Sequence, residues 1–133
     1  YAGDIDKKAV EAARENAIEA GVADDIVFCA GDAANFSSQN KQGGIIITNP
    51  PYGQRIGDRD SMDKLYAGFS SFLKKNPTWS MFAITADKSA EQKIFGRPAD
   101  RRRKLFNGRM EVCYYQYHGI KPTEPENHGH KDK

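Results

Sequence analysis

The residues with the most chemical content lie in "IIITNPPYG", Ile45 to Gly53, where an apolar β-branched run passes straight into Asn49, Pro50, Pro51, Tyr52 and a glycine. Proline lacks an N–H and breaks a sheet ladder, so a strand here has to stop at Thr48 or Asn49. An amine attached to an aromatic ring is a poor nucleophile because its lone pair is delocalised. It becomes competent when two acceptors hold its two N–H bonds and the nitrogen pyramidalises toward an electrophile. The Asn49 side-chain oxygen and the Pro50 carbonyl, stiffened by two fixed φ angles, are acceptors of that kind. Tyr52 offers a face on which a planar base can stack, and Gly53 lets the backbone pass close to a substrate. A proline-stiffened turn alone does not explain the amide and the ring together.

Two carboxylates invite similar scrutiny. Asp4, at the end of a short apolar opening, could accept from the vicinal hydroxyls of a ribose; equally, Asp4 and Asp6 could cap the helix that follows. Asp32, in "GDAANF", could accept from the amine of a bound adenine while the Ala33 N–H donates to the ring; the alternative is an ordinary turn aspartate.

The elements that would position these residues are legible from periodicity. A helix is expected from Asp6, its N-cap, to Gly21, its stop, with Val10, Ala13, Ala17 and Ala20 on one face. Short buried strands are expected over Asp25–Ala30 and Ile45–Thr48, and a polar loop over Asn49–Arg59. A helix from about Met62 to Lys75 places Leu65, Phe69, Phe72 and Leu73 on one side. A strand over Ser80–Asp87, a helix in "SAEQKIFG" and a long strand in "MEVCYYQYHG" complete the pattern. Helices alternating with apolar strands imply an α/β fold with a mainly parallel sheet, in which ligands bind beyond the carboxyl ends of the strands. Asp4, Asp32 and Asn49 each follow a strand and should line one crevice.

The stretches "GDIDKKAVEAARENAIEAGV", "GDAANF", "IITNPPYGQRIGD" and "IFGRPADRRRKLFNGRMEVCYYQY" resemble the class I S-adenosylmethionine-dependent methyltransferases of the Asn-Pro-Pro-Tyr type. Within them the chain is most similar to the RNA guanine-N2 methyltransferases, often THUMP-associated, whose bacterial members act on 23S ribosomal RNA. The tetrapeptide is specific for amino methylation; Gly53 to Gly57 and Lys104 to Gly108 narrow the resemblance to RNA guanine. It implies a Rossmann-like α/β fold, mostly parallel with an antiparallel last strand. It implies S-adenosylmethionine as cofactor, with Asp4 and Ile5 at its ribose, Asp32 and Ala33 at its adenine, and Asn49 between cofactor and substrate. Asn49, Pro50, Pro51 and Tyr52 would hold the target amine, and the proton would leave after transfer, so no strong general base is required.

One departure stands out. The family's glycine-rich loop, which cradles the methionine end of the cofactor, has no counterpart here. The first strand of the family's sheet and any THUMP domain would therefore lie upstream of Tyr1. Residues 1–120 are read as the C-terminal part of a methyltransferase domain and 121–133 as a disordered tail. The chain alone is expected to bind S-adenosylmethionine weakly or not at all.

For the RNA, Arg55 follows the tetrapeptide loop, and the densest basic segment, Arg97 to Lys104, carries Arg101, Arg102, Arg103 and Lys104; by spacing alone such a run is more often a solvated face than a phosphate contact. Tyr114, Tyr115 and Tyr117 suit core packing. Net charge is only +2 over 133 residues, so overall charge does not announce nucleic acid. No apolar run reaches the ~20 residues of a spanning helix, which excludes a helical membrane span. Cys29 and Cys113, without CxxC spacing, are expected as reduced thiols in a cytosolic core. No histidine pair has metal-ligand spacing, so no metal is implied. Rival readings remain: the same tetrapeptide serves adenine and glutamine-amide methyltransferases, and the chain could be a non-catalytic RNA-binding module.

Overall fold

A computed structural model describes residues 1–40, 42–52 and 58–122. Among these residues the main elements follow in the order β1 (Ala2–Asp4), α1 (Lys7–Glu19), β2 (Phe28–Ala30), β3 (Ile45–Thr48), α2 (Asp58–Lys75), β4 (Ser80–Thr85), β5 (Arg101–Asn107) and β6 (Met110–Tyr117), with short helical turns between some of them. β1 pairs in parallel with β2. The remaining strands form a second sheet in the order β3-β4-β6-β5. There β3 and β4 are parallel, whereas β6 runs antiparallel to both β4 and β5. The α/β class and the antiparallel last strand are as expected.

α1 is capped at both ends by the residues its sequence singles out. The Asp6 carboxylate accepts from the Lys8 amide at 2.9 Å. Gly21 takes φ 72°, which only glycine adopts at little cost. The Val22 and Gly21 amides then return to the Ala17 and Ile18 carbonyls, closing the end of the helix. Only Val10 and Ala17 of its expected apolar stripe are buried. α2 begins four residues before the expected start: Asp58 and Asp60 occupy its first turn, where carboxylates suit the helix dipole, and the Ser61 hydroxyl donates to the Asp58 carbonyl. Its face of Met62, Tyr66 and Phe69 packs with Met81, Ala90 and Ile94 to form the core.

Several expectations give way. The segment at 88–96 forms one wide helical turn, Glu91–Phe95, closed by Gly96 at φ 63°. The basic run at 101–104, expected as a solvated face or a phosphate contact, opens β5, an edge strand; charged residues are what blunt an exposed sheet edge. β2 is shorter than Asp25–Ala30, because Asp25 closes a helical turn, Ala23–Asp25, instead. β3 is only half buried: Ile46 packs against the core, while Ile45 and Ile47 are 60% and 76% exposed. They lie on the sheet face opposite α2, and β3 has β4 as its sole strand neighbour among the described residues. Cys29, expected in a core, is exposed, and Cys113 is half-buried.

Between the free edges of β1 and β3 lies a cavity of about 520 Å³, bordered by Gly3, Cys29, Asp32, Ala33, Ile47 and Thr48 among others. Two of its lining side chains, Ile45 and Ile47, are exposed. The expected tail at 121–133 falls outside the described residues from position 123 onward.

Candidate active site

Three strand ends carry the residues of interest. At the end of β1, one Asp4 oxygen accepts the Asp6 amide at 2.8 Å; the other has no partner among the described residues. Ile5, next along, is exposed. After β2, Asp32 caps the turn Ala33–Asn35, accepting from the Ala34 amide at 2.9 Å. The Ala33 amide, first of that turn, is unpaired among the described residues, as the leading N–H groups of a helical turn are. Asp4 and Asp32 sit at the same end of their sheet, since β1 and β2 are parallel and Asp4 is registered with Ala30. Both the capping and the ligand readings of the two aspartates are thus compatible with the structure, because each cap occupies one oxygen only.

The turn bearing Asp32 and Ala33 is seated on α2. Gly68 approaches the Ala34 backbone so closely that a Cβ there would lie 2.3 Å from the Ala34 carbonyl oxygen. Phe36, just beyond, packs against Phe72 and Trp79 with ring centroids 5.1 and 6.1 Å away. The Trp79 indole N–H donates to the Asn40 carbonyl at 3.1 Å.

After β3, Asn49 is exposed, Pro50 buried, Pro51 exposed and Tyr52 half-buried. Burial of Pro50 anchors the segment while leaving the Asn49 amide and the Tyr52 ring open to a ligand. Of the three strand-end residues expected in one crevice, only Asp32 borders the cavity of about 520 Å³, together with Ala33 and with Thr48, the residue before Asn49. Gly53 and Arg55 lie outside the described residues.

Tyr52 also walls a second cavity, of about 480 Å³. Its other lining comes from the start of α2 (Arg59, Met62, Asp63) and from the segment after β4 (Ala86 to Ser89, with Lys93). Lys93 Nζ donates to Asp63 at 2.6 Å. The Asp87 Oδ1 atom accepts from both the amide and the hydroxyl of Ser89, at 2.8 and 2.7 Å. Burial acts to raise the Asp87 carboxyl, but the two Ser89 donors outweigh it and hold the group below the ordinary carboxylate value. Beside it, the Tyr66 hydroxyl is buried with no partner at hydrogen-bonding distance among the described residues, although Thr85 and Asp87 lie near enough to act on it, and burial pushes that phenol well above its ordinary value. The sequence reading passed over Asp87. The signal was present: "SMFAITAD", read as a strand to Asp87, is a strand only to Thr85 that leads into an aspartate two residues on, the same pattern that selects Asp4, Asp32 and Asn49.

The basic run is divided by its strand. Arg102 Nε donates to Glu91 at 2.9 Å and Lys104 pairs with Glu111 at 2.8 Å. Arg101 and Arg103 share the opposite face of β5, beside Gln116 and Tyr114, and have no carboxylate partner among the described residues. Tyr115 and Tyr117 are buried as expected, whereas Tyr114 stands half-exposed on that same face against Phe82. Among the described residues no cluster suits a metal ion, and no helix is long and apolar enough to cross a membrane.

Residues 1–116 match the model of the RMKL-like methyltransferase domain, and the chain belongs to that family. It is 38% identical over 117 residues to "Putative RNA methyltransferase YpsC" of Bacillus subtilis, covering 88% of this chain and 30% of that protein. It is 37% identical over 130 residues to "Ribosomal RNA large subunit methyltransferase K/L" of Acinetobacter baumannii, covering 93% of this chain and 17% of that one. Among solved structures, SMU.472, "a putative methyltransferase complexed with SAH", superposes with a TM-score of 0.80 at 38% identity, covering 91% of this chain and 32% of that one. The chain thus spans less than a third of the length of these relatives, and its Rossmann-like methyltransferase architecture is shared with them.

Proposed function

We propose that the full protein is an S-adenosylmethionine-dependent RNA methyltransferase that modifies the exocyclic N2 amine of a guanine, in 23S ribosomal RNA. The observation carrying this reading is the Asn49–Tyr52 segment at the carboxyl end of β3: Pro50 buried as an anchor, Asn49 open, and Tyr52 forming a cavity wall. The relatives' names, an RNA methyltransferase and a large-subunit rRNA methyltransferase, support the choice of RNA.

The described residues fit the cofactor. Asp4 keeps one carboxylate oxygen free for a ribose diol, and Asp32 with the unpaired Ala33 amide offers an acceptor beside a donor, which matches the edge of an adenine. When bound, S-adenosylmethionine supplies the electrophilic methyl group. The chain's own part is orientation. The Asn49 oxygen and the Pro50 carbonyl accept the two N–H bonds of the guanine amine and direct its lone pair. Tyr52 stacks on the base, which must be flipped out of any helix first, at a cost of a few kcal/mol unless it is already unpaired. Arg101 and Arg103, unpaired on one face of β5, contact RNA phosphates.

The test is product identification. The full-length enzyme is incubated with labelled S-adenosylmethionine and unmodified RNA, DNA and protein pools, and the products are digested and separated. Label in N2-methylguanosine from large-subunit RNA supports the reading. Label in methyladenine or methylglutamine keeps the amine chemistry and rejects the substrate. No label in any pool with cofactor binding intact favours a non-catalytic RNA-binding module.

A further inference from the structure

The grip of Asn49 and Pro50 on an amine does not by itself choose guanine. Adenine N6, guanine N2 and an amide nitrogen all present two N–H bonds. What differs is the neighbouring ring atom. Next to guanine N2, N1 carries a hydrogen and donates; next to adenine N6, N1 has a lone pair and accepts. A fixed anionic acceptor beside the amine site would therefore favour guanine and repel adenine.

We propose that Asp87 is that acceptor: the cavity between Tyr52 and the segment after β4 takes the target base, and the Asp87 carboxylate reads guanine N1–H. This rests on the guanine reading above and supplies its specificity. Three observations on the chain carry it. Asp87 and Tyr52 line one cavity of about 480 Å³, within the ~300–1,000 Å³ typical of ligand pockets. Asp87 follows the end of β4, and β4 is parallel to β3, so Asp87 and Asn49 emerge at the same edge of the sheet. Its Oδ1 atom is held by the Ser89 amide and hydroxyl, which fixes the orientation of the carboxylate. The Tyr66 hydroxyl and Lys93 also act on it. The other acid in the cavity, Asp63, is already paired with Lys93. Arg59 and Lys88, at the same cavity, suit the flanking phosphates.

The structural role of Asp87, capping the turn through Oδ1, is separable from this one. Asp87→Asn keeps an oxygen for the Ser89 donors and removes the charge. The experiment uses the full-length enzyme and a synthetic RNA hairpin spanning the methylated guanosine, with either guanosine or 2-aminopurine ribonucleoside at that position. 2-Aminopurine keeps the amine but has no N1–H. Wild type is expected to methylate guanosine about 10- to 100-fold faster in kcat/KM than 2-aminopurine, the discrimination a good directional contact to a base gives. Asp87→Asn is expected to lose roughly that factor on guanosine and little on 2-aminopurine, so that the preference collapses, with cofactor affinity and Tm unchanged. Asp63→Asn keeps the preference.

An Asp87→Asn enzyme that still prefers guanosine as wild type does overturns the proposal while leaving guanine methylation standing. If that variant fails to fold, wild type alone decides: equal rates on the two hairpins overturn the proposal. Wild-type label in adenine or glutamine removes the guanine reading and this inference together.

Discussion

Gly68→Ala tests whether α2 sets the position of the turn that carries Asp32 and Ala33. In a helix interior the exchange is ordinarily favourable, by about 1 kcal/mol. Here the added Cβ would meet Ala34 backbone atoms at 2.3, 2.6 and 2.8 Å, where contacts below 3.0 Å essentially never occur. The obstacle is main chain and cannot swing aside as a side chain could. The turn or the helix must move by about 0.7 Å. Overpacking of this kind costs about 1–3 kcal/mol, so the net effect is a loss of up to about 2 kcal/mol in place of a gain. Because the displaced turn bears Asp32 and Ala33, affinity for S-adenosylhomocysteine should fall several-fold as well. The assay is thermal unfolding and calorimetric titration of the full-length protein. Ala67→Gly, at an exposed neighbour, serves as the control for helix propensity alone and should cost about 1 kcal/mol without altering the titration. A Gly68→Ala protein with a raised Tm and unchanged affinity would refute the reasoning.

Tyr66→Phe removes a buried hydroxyl with no partner at hydrogen-bonding distance among the described residues and should raise stability by about 1 kcal/mol in urea titration. Burial raises the phenols of Tyr66, Tyr117 and Tyr115, the last to about 12, so the stability they contribute is present below the ordinary phenol value near ~10 and is lost as pH rises through the folded values. The urea midpoint should drop above pH ~10, less steeply in Tyr66→Phe than in wild type. Arg101→Ala and Arg103→Ala should each weaken RNA binding and flatten its salt dependence by just under one unit of logarithmic slope. Arg102→Ala, whose side chain is engaged with Glu91, should change that slope less; equal effects at all three positions would contradict the division of the strand into two faces. The 133-residue chain, which has no glycine-rich loop after an apolar strand, should bind S-adenosylmethionine weakly or not at all, and low-micromolar binding in a calorimeter would contradict this.

Much of the arrangement was legible because local signals and tertiary structure agree. Asp6 and Gly21 mark α1 by capping chemistry that depends only on neighbours in sequence. Asp4, Asp32 and Asn49 stand at or just beyond strand ends as expected, though of the three only Asp32 borders the cavity between the sheets, and the alternation of Tyr115 and Tyr117 reported their burial. The misreadings have a common cause in long-range geometry. Ile45 and Ile47 look like core residues, yet β3 borders a cavity and that face of its sheet is uncovered, so their side chains are exposed; Cys29 is exposed beside the same cavity. Arg101 to Lys104 lack any strand propensity, and β5 forms because β6 offers a partner across the turn at Gly108, whose φ of 61° calls for glycine. Asp87 was missed although its signal equals that of Asp4, since its significance depends on sharing a cavity with Tyr52, which no spacing reveals.

The central claim, that Asn49 holds the target amine for attack, is tested most directly by single-turnover methyl transfer with Asn49→Ala in the full-length enzyme, alongside titration of the cofactor. Loss of one oriented polar group that acts on the reacting atom costs ~10²-fold or more. The rate should therefore fall by at least that factor, with S-adenosylmethionine affinity nearly unchanged. A mutant retaining more than about a tenth of the wild-type rate would contradict the claim.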